Sequence, residues 1–346
     1  MARFEIWLVV AFIPSLVAGY NSLSTKQVSE AKTRLRTVLK NYKAVLTTPG
    51  GGNGGLTTPL LATAVRLNFH DCVGGCDGCI NFANEDNKGL EPIVKVLGDV
   101  YDKEGFSAVM SRADFWALAG IAALELAAEN QRCRGRFCSV PKPSVTFKWG
   151  RKDCASSPTT KDMRELPNNH GDLAHVKKYF REEFGLNTRE VVALMGAHTL
   201  GAAHRNQSGF AGRWVPRRDE LSNQFYQILV NPNFNWTQSG FVRPQRPLRP
   251  FRPFRPNRPT PPPRTPKYQW DGNPVGFMLN TDVCLYKNLK LEADGKSKCT
   301  FNTCGASETA SIVSEYAANN ALWMKEFSKV YEKMISNGYD DLKLPG

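Results

Sequence analysis

The chain contains few histidines, few strand-like segments and no internal repeat. Only five of its 346 residues are histidines, at positions 70, 170, 175, 198 and 204. The lack of a repeat excludes solenoid and propeller architectures. After residue 17 no run is apolar enough to cross a bilayer, so we expect no membrane span. The best candidate strand is 144–149, and most other segments place apolar residues at helical spacing, which predicts a mainly α fold.

Acidic residues are missing from one segment, 243–266, which dominates the charge of the chain. The whole sequence has 45 basic and 32 acidic residues, a net charge of +13, and this segment holds seven arginines and ten prolines. Subtracting those seven charges leaves +6 for the rest, whose composition is that of a globular protein. The uneven charge argues against a basic nucleic-acid-binding domain, and we expect no nucleic-acid partner.

The Arg/Pro segment 243–266 consists largely of Arg-Pro-x triplets, which favour an extended polyproline II conformation. Three residues per turn would align the arginines of successive triplets along one edge. Two interpretations stay open. The segment is either a solvated, low-complexity insertion or a basic ridge that binds a polyanion such as an acidic polysaccharide or a mineral surface.

Residues 1–19 have the pattern of a cleaved signal peptide, with a basic start, an apolar run over 6–17 and the small residues Ala18 and Gly19. Nine cysteines agree with an oxidising destination, so we predict a secreted protein. Asn206 and Asn235 each begin a sequon, and we expect them to be glycosylated in a secreted chain.

The cysteines do not reveal their pairing, and an odd number leaves at least one of them without a partner in the chain. Three pairs are close enough in sequence to form short disulfide loops: Cys72/Cys76, Cys133/Cys138 and Cys299/Cys304.

Helical spacing of apolar residues is clear in seven segments: 25–44, 60–70, 89–100, 112–128, 173–184, 189–195 and a long one over 308–335. Asn187 or Thr188, followed by Glu190, is typical of a capped helix start. Residues 50–55 are rich in glycine and indicate a loop.

Two histidines lie in settings that suggest chemistry. Arg66 and His70 are four residues apart and share one face of a predicted helix. An imidazole in this position can move a proton while the guanidinium stabilises charge on a leaving oxygen. His198 follows an apolar helix and has small neighbours that leave room for a flat, bulky group, so it is a candidate axial ligand of haem iron. Asp282 is the candidate carboxylate that orients its ring.

Several motifs follow one another in a recognisable order: Arg66-x-x-Phe69-His70, Asn87-Lys-Gly-Leu90, Ala113-Asp-Phe-Trp-Ala-Leu-Ala-Gly120, Trp149-Gly-Arg151, the stretch 196–214 and Thr281-Asp282. With these motifs the chain resembles the haem peroxidase superfamily of plants, fungi and bacteria. The resemblance covers nearly all of the chain after residue 19 except the Arg/Pro segment. It implies two helical lobes with a haem b between them, a distal lobe over 20–160 and a proximal lobe over 161–346.

The resemblance also implies roles for single residues. His198 would be the proximal iron ligand and Asp282 its hydrogen-bond partner. His70 would be the distal acid and base, Arg66 would stabilise the leaving hydroxide, and Asn87 would hold the tautomer of His70. His204 matches a contact to a haem propionate. Apart from the resemblance, His170 and His175 are expected to be ordinary surface or packing residues.

The two halves of the chain resemble different subclasses. On the distal side, Asp71, Gly75 and Asp77 resemble the calcium loop of the secreted enzymes, although Cys79 stands where a serine oxygen is usual. On the proximal side, Trp214 lies where ascorbate and cytochrome c peroxidases have a tryptophan that carries a radical. Packing beneath the haem is the alternative role for this residue. Gln207 replaces the arginine that binds ascorbate.

We therefore predict a secreted peroxidase that reduces hydrogen peroxide and oxidises small aromatic or phenolic donors. One alternative is oxidation of a protein partner through Trp214. Another is an extracellular haem-containing matrix protein in which the Arg/Pro segment is the working part.

Overall fold

The protein is built mainly from helices, which confirms the predicted fold class. A computed structural model describes residues 22–41, 43–45, 57–132, 140–241, 266–273 and 276–346. The helices in this part of the chain are α1 Thr25–Asn41, α2 Leu60–Cys72, α3 Glu91–Lys103, α4 Arg112–Glu129, α5 Leu173–Phe184, α6 Thr188–Met195, α7 Arg205–Ser208, α8 Gln224–Val230, α9 Asn280–Val283, α10 Ala310–Ala318 and α11 Asn320–Met334. Helix α6 begins with a capping box formed by Asn187 and Glu190, as the sequence predicted.

The predicted long helix over 308–335 is wrong, because two helices, α10 and α11, occupy this region. Asn319 lies between them with φ −133° and ψ 90°, outside the helical range. Its side chain accepts a hydrogen bond from the amide of Leu322 at 3.0 Å and so caps α11. A short side chain that competes with the helical hydrogen bonds thus divides the apolar pattern in two.

Strands are few among the described residues. β1 Lys43–Val45 pairs antiparallel with β2 Thr57–Pro59, and β3 Asn235–Phe241, β4 Lys267–Asn273 and β5 Phe277–Met278 form a second antiparallel sheet. The predicted strand 144–149 is wrong, since this segment makes only one bridge, between Trp149 and Lys343. The second sheet was not predicted, because its pairing depends on residues about 30 positions apart and its burial does not alternate cleanly.

Two groups of helices enclose the interior. In the first group α2 packs along α4 and α1 packs against both, and in the second α6 packs on α11 and α8 on α10. The contact between α2 and α4 is very close at Gly120, where an added Cβ would lie 1.8 Å from Oδ1 of Asn68. Asn68 donates to the carbonyl of Trp116 and accepts from the hydroxyl of Tyr331, so it joins α2, α4 and α11. Glycine at 120 is therefore required by packing.

A buried ion pair connects two of the sequence motifs. Asp114, in the first turn of α4, and Arg151 are almost fully shielded from solvent, with Nη1 2.7 Å from Oδ1. Asp114 also accepts from the amide of Gly150 at 2.8 Å, and Arg151 donates from Nε to the carbonyl of Ile335 at 2.8 Å. The pair thus ties α4, the 148–151 segment and the end of α11 together.

The structure settles part of the disulfide pairing. Cys72–Cys76 and Cys299–Cys304 are confirmed, and a third bridge joins Cys79 to Cys154 across 75 residues. Cys284 is a free, buried thiol. The third predicted pair, Cys133/Cys138, lies outside the described residues.

Several other predictions also lie outside the described residues: the signal peptide 1–19, the loop 50–55 and nearly all of the Arg/Pro segment. In the chain this last segment follows β3 and precedes β4, whose facing ends are Phe241 and Lys267. The division into lobes at residue 160 stays a prediction. Among the helices that the structure describes, none combines the length and the apolar character needed to span a membrane.

The ion pair between Asp114 and Arg151 leads to a stability prediction. Arg151→Met should lower the free energy of unfolding by about 3–5 kcal/mol, because it leaves a buried carboxylate without its cation. Denaturant titration followed by circular dichroism measures the loss. The control is Arg34→Ala, which breaks an exposed pair with Glu104 and should cost no more than about 1 kcal/mol. Equal losses in the two variants would contradict the assigned role of the buried pair.

Candidate active site

One cavity lies between the two groups of helices. It has a volume of about 290 Å³ and is lined mainly by apolar side chains. Helix α2 contributes Arg66 and His70 to its wall, and the 3₁₀ turn Gly196–Thr199 that follows α6 contributes His198. The two histidines that the sequence selected therefore face the same space from different parts of the fold.

His198 is held by a buried carboxylate. Its Nδ1 lies 2.6 Å from Oδ1 of Asp282, which is completely inaccessible to solvent. The other oxygen, Oδ2, accepts from Nε1 of Trp214 at 2.7 Å and from the amide of Leu279 at 2.7 Å. Because Nδ1 is occupied, Nε2 is the ring nitrogen of His198 that is left for the cavity.

Trp214 lies directly against the ring of His198. The two ring centroids are 4.5 Å apart and the planes are inclined by 22°, so the rings are stacked. Phe277 packs edge-on against Trp214 at 4.8 Å, and Phe225 packs edge-on against His198 at 6.0 Å. These contacts leave the imidazole little freedom to rotate.

The wall beside His198 has the shape expected for a flat cofactor. Small residues, Ala197, Gly201, Ala202 and Ala203, line it, and their short side chains leave open space beside His198. His204 also lines the cavity, and burial together with the charge of Arg218 lowers its pKa. A His204 imidazole that lines the cavity, with the positive charge of Arg218 nearby, suits a carboxylate of haem. The residues present therefore fit a haem whose iron is bound by His198.

His70 is fixed in one tautomer by Asn87. Nδ1 of His70 lies 2.7 Å from Oδ1 of Asn87, and Nδ2 of Asn87 donates to the carbonyl of Asn81 at 2.8 Å. The second bond orients the amide, so that its oxygen faces the imidazole and Nδ1 carries the proton. Nε2 of His70 is then an acceptor. Burial and the charge of Arg66 lower the pKa of His70 well below its usual value, which keeps the ring neutral at neutral pH.

Arg66 lies one turn before His70 and is bound to the loop that carries Asn87. Its two terminal nitrogens donate to the carbonyls of Lys88 at 3.1 Å and Asp86 at 2.6 Å. Burial lowers the pKa of Arg66 to about 10, so the guanidinium still carries its charge at neutral pH. The cavity thus holds a fixed cation beside a neutral base.

The three candidate calcium ligands come together, but around a guanidinium. Arg164 donates to the carbonyls of Asp71 at 3.0 Å and Gly75 at 3.3 Å, and it also binds the carboxylate of Asp77. Burial raises the pKa of the Asp71 carboxyl to about 8. These oxygens already have a cation, so the set as it stands does not fit calcium.

Sulfur ligands do not make a metal site here either. Asp77, Cys79 and Cys154 cluster within metal-binding distance of one another. The two sulfurs form a disulfide, and neither is a thiolate.

Two residues of the site were not predicted. Asn81 orients Asn87, and Arg164 holds the end of α2, yet neither carries a local sequence signal because their partners depend on the fold. His170 and His175 do not line the cavity. His175 accepts a hydrogen bond from the amide of Asn168 at 3.1 Å, in keeping with its expected packing role.

Comparison with known proteins agrees with this geometry. The family model described as Peroxidase matches residues 38–319. A Yarrowia lipolytica protein that is named a heme-binding peroxidase is 32% identical to this chain over 204 residues, which cover 55% of this chain and 62% of the relative. L-ascorbate peroxidase 5 of Arabidopsis thaliana is 33% identical over 48% of this chain and 56% of its own length. Mitochondrial cytochrome c peroxidase of Yarrowia lipolytica is 26% identical over 77% of this chain and 62% of its own length. The chain thus spans less than two thirds of each of these relatives.

The contact between Asn87 and His70 predicts a change in titration. Asn87→Asp places a carboxylate beside Nδ1, and an adjacent negative charge favours the protonated imidazole, so the pKa of His70 should rise by about 1 to 3 pH units. NMR titration of isotopically labelled histidine measures it. Asn231→Asp is the control, since this side chain only accepts a turn hydrogen bond from the amide of Asn233. An unchanged pKa of His70 in Asn87→Asp would show that the two side chains are not in contact.

Proposed function

The chain belongs to the haem peroxidase family, and on that premise we propose that it reduces hydrogen peroxide and oxidises small donors in one-electron steps. One observation carries the proposal: two histidines line one cavity, and each has its Nδ1 bound to an oxygen atom of a neighbouring side chain. Nε2 of His198 is then available to iron, and Nε2 of His70 is available to a proton. A haem site without catalytic function would need the arrangement at His198 but not the one at His70.

The residues divide the work between binding and proton transfer. Bound haem supplies the iron at which peroxide is cleaved. His70 would accept a proton from one peroxide oxygen and return it to the other, which would leave as water. Arg66 stabilises the negative charge on that departing oxygen. Asp282 fixes the orientation of the His198 ring through the contact to Nδ1, which leaves Nε2 for the iron. Two phenolic donors would then each give one electron and one proton, which together reduce the remaining oxygen to a second water.

The donors that suit the mouth of the cavity are small, neutral aromatic molecules. Asn169, Gln207 and Ser208 are partly exposed lining residues and carry no charge, and Lys88 is paired with Glu85. The exposed lining residue Asp86 is acidic and disfavours negatively charged donors. Gln207 packs against Gly89, where an added Cβ would lie 2.6 Å from Oε1. An anionic donor such as ascorbate would find no arginine at position 207. Phenols need only an apolar surface and a hydrogen-bond acceptor.

The role of His70 is tested by a peroxide titration. After one equivalent of hydrogen peroxide is added to the haem-loaded protein, the Soret band should change rapidly in the wild type and about 10²–10⁴ times more slowly in His70→Leu, because proton transfer is lost. His175→Leu removes a histidine outside the cavity and should react like the wild type. Equal rates for His70→Leu and the wild type, measured by stopped flow, would rule out the proposed mechanism.

A second function, oxidation of a protein partner, is favoured by the setting of Trp214. Its ring is stacked on His198 and its N–H donates to Asp282. If the indole lost an electron, the nearby carboxylate of Asp282 would stabilise the radical cation that remains. The positive net charge disfavours basic partners such as cytochrome c.

Radical spectroscopy tests this second function. After peroxide addition, the wild type should show an indole radical signal by electron paramagnetic resonance, and Trp214→Phe should lose it. Trp236→Phe, a buried tryptophan of β3 that does not line the cavity, is the control and should keep the signal. If Trp214→Phe also retains it, Trp214 serves only in packing.

We also propose that the protein is secreted and held by a polyanion through the Arg/Pro segment 243–266. Three disulfides among the described residues favour an oxidising compartment. The sequon residues Asn206 and Asn235 are both exposed, as glycosylation requires. The segment itself lies almost wholly outside the described residues, and its proposed role rests on its charge.

Expression of the full chain in a eukaryotic host tests both proposals. The medium should contain a protein that begins after residue 19 and binds heparin at low salt, and a variant lacking 243–266 should elute earlier because it has lost seven positive charges. A chain retained inside the cell would contradict secretion. Unchanged heparin retention of the deletion variant would exclude the segment as a polyanion site.

A further inference from the structure

The end of helix α2 is held by one arginine from a distant part of the chain. The guanidinium of Arg164 contacts the carbonyl oxygens of Asp71 and Gly75 and the carboxylate of Asp77. It is mostly buried, with 19% of its side chain exposed, as is Asp77 with 24%. Three oxygens from the end of α2 and the loop that follows it therefore converge on a single fixed positive charge.

These oxygens are the kinds that a hard metal cation prefers. Calcium binds carbonyl and carboxylate oxygens, commonly with water completing the shell. A planar guanidinium can serve the same oxygens, because its donors point in several fixed directions at once. The side chain of Arg164 also reaches the loop without a steric clash. Gly74, at φ +75°, leaves room for it, since an added Cβ would lie 3.3 Å from Cδ of Arg164.

The same segment of chain supports both partners in the hydrogen bond to His70. Asp71 directly follows His70, so the bond from Arg164 to the Asp71 carbonyl fixes the last turn of α2. The carbonyl of Arg164 accepts from Nδ2 of Asn84 at 3.2 Å, and the carbonyl of Asp162 accepts from Nδ2 of Asn81 at 2.9 Å. Residues 161–164 thus anchor the loop that ends at Asn87.

We propose that Arg164 occupies a cation site that calcium would otherwise fill, and that it positions His70 in place of a metal. Arg164 is a positioning residue, since it reaches His70 only through Asp71 and the loop 81–87. The distal side of the protein is therefore independent of calcium. The positioning role rests on the proposed function of His70, whereas the replacement of the metal does not.

The wild type provides the first test. Thermal unfolding of the haem-loaded full chain is followed by circular dichroism in excess EDTA and in millimolar calcium chloride, and its metal content is measured by mass spectrometry. The Tm should be the same in both solutions, and the purified protein should contain no stoichiometric calcium. A Tm that falls in EDTA and recovers with calcium would overturn the proposal.

Arg164→Ala provides the second test. The Tm should fall by about 5–10 °C, because the carboxylate of Asp77 and two carbonyls lose their cation. Millimolar calcium should restore part of that loss, and magnesium should not, since it demands a stricter geometry. One oxygen of Asp77, Oδ1, is buried and accepts no hydrogen bond from the described residues, so it is available to the incoming ion. A variant that keeps the wild-type Tm, or does not respond to calcium, would refute the interchange.

Two further variants keep the test decisive if Arg164→Ala does not fold. Arg164→Lys keeps the charge but cannot reach three oxygens at once, so its Tm should fall between those of the wild type and Arg164→Ala. A Tm of Arg164→Lys equal to that of the wild type would count against the need for a guanidinium. Arg34→Ala removes an exposed arginine at a surface pair and should show neither the loss nor the calcium response.

The positioning role has its own measurement. The rate of the peroxide reaction should fall in Arg164→Ala on the order of tenfold to a hundredfold, and calcium should restore it together with the Tm. Recovery of the Tm without any recovery of the rate would overturn the positioning role. If the wild type itself does not react with peroxide, the proposed function fails, while the melting experiments still decide whether Arg164 replaces a metal.

Discussion

A carboxylate that is completely removed from water must be paired, and Asp282 meets this requirement with three donors. They are the Nδ1–H of His198, the indole of Trp214 and the amide of Leu279. These partners come from the turn after α6, from the chain before α8 and from the start of α9. Because the charge is stable only when all of these segments are in place, the orientation of His198 and the packing of Trp214 are set together.

On the distal side, the ring of His70 is oriented by a neutral amide instead of a carboxylate. Asn87 accepts from His70 as Asp282 does from His198, but an amide adds no charge, so burial and Arg66 keep the pKa of His70 low. One ring is thus suited to bind iron and the other to move a proton. The amide of Asn87 is oriented by the carbonyl of Asn81, and the side chain of Asn81 donates in turn to the 161–164 segment. In that segment, Arg164 binds the oxygens for which the sequence predicted calcium.

Motifs of similar strength in the sequence turned out to serve different purposes. The pair Arg66 and His70 faces the cavity, whereas Asp114 and Arg151 form a buried ion pair that joins α4 to the end of α11. Gly120 is needed only because Asn68 approaches it too closely for a side chain. Resemblance to a family therefore identified both kinds of residue together. Burial and hydrogen-bond partners separated the ones that hold the fold from the ones that face the cavity.

The sequence by itself determined most of the helices and the identity of the residues around the cavity. Helix starts and apolar faces depend on residues within a few positions, so α5 and the capped start of α6 could be predicted closely, and the break at Asn319 was missed because one residue interrupts the pattern. Only the tertiary structure decided the partners. His198 and Asp282 are 84 positions apart and Asp71 and Arg164 are 93, distances over which no local preference acts. Those contacts exist because packing brings the segments together, and the sequence around Asp71 does not by itself reveal whether a metal or an arginine supplies the cation.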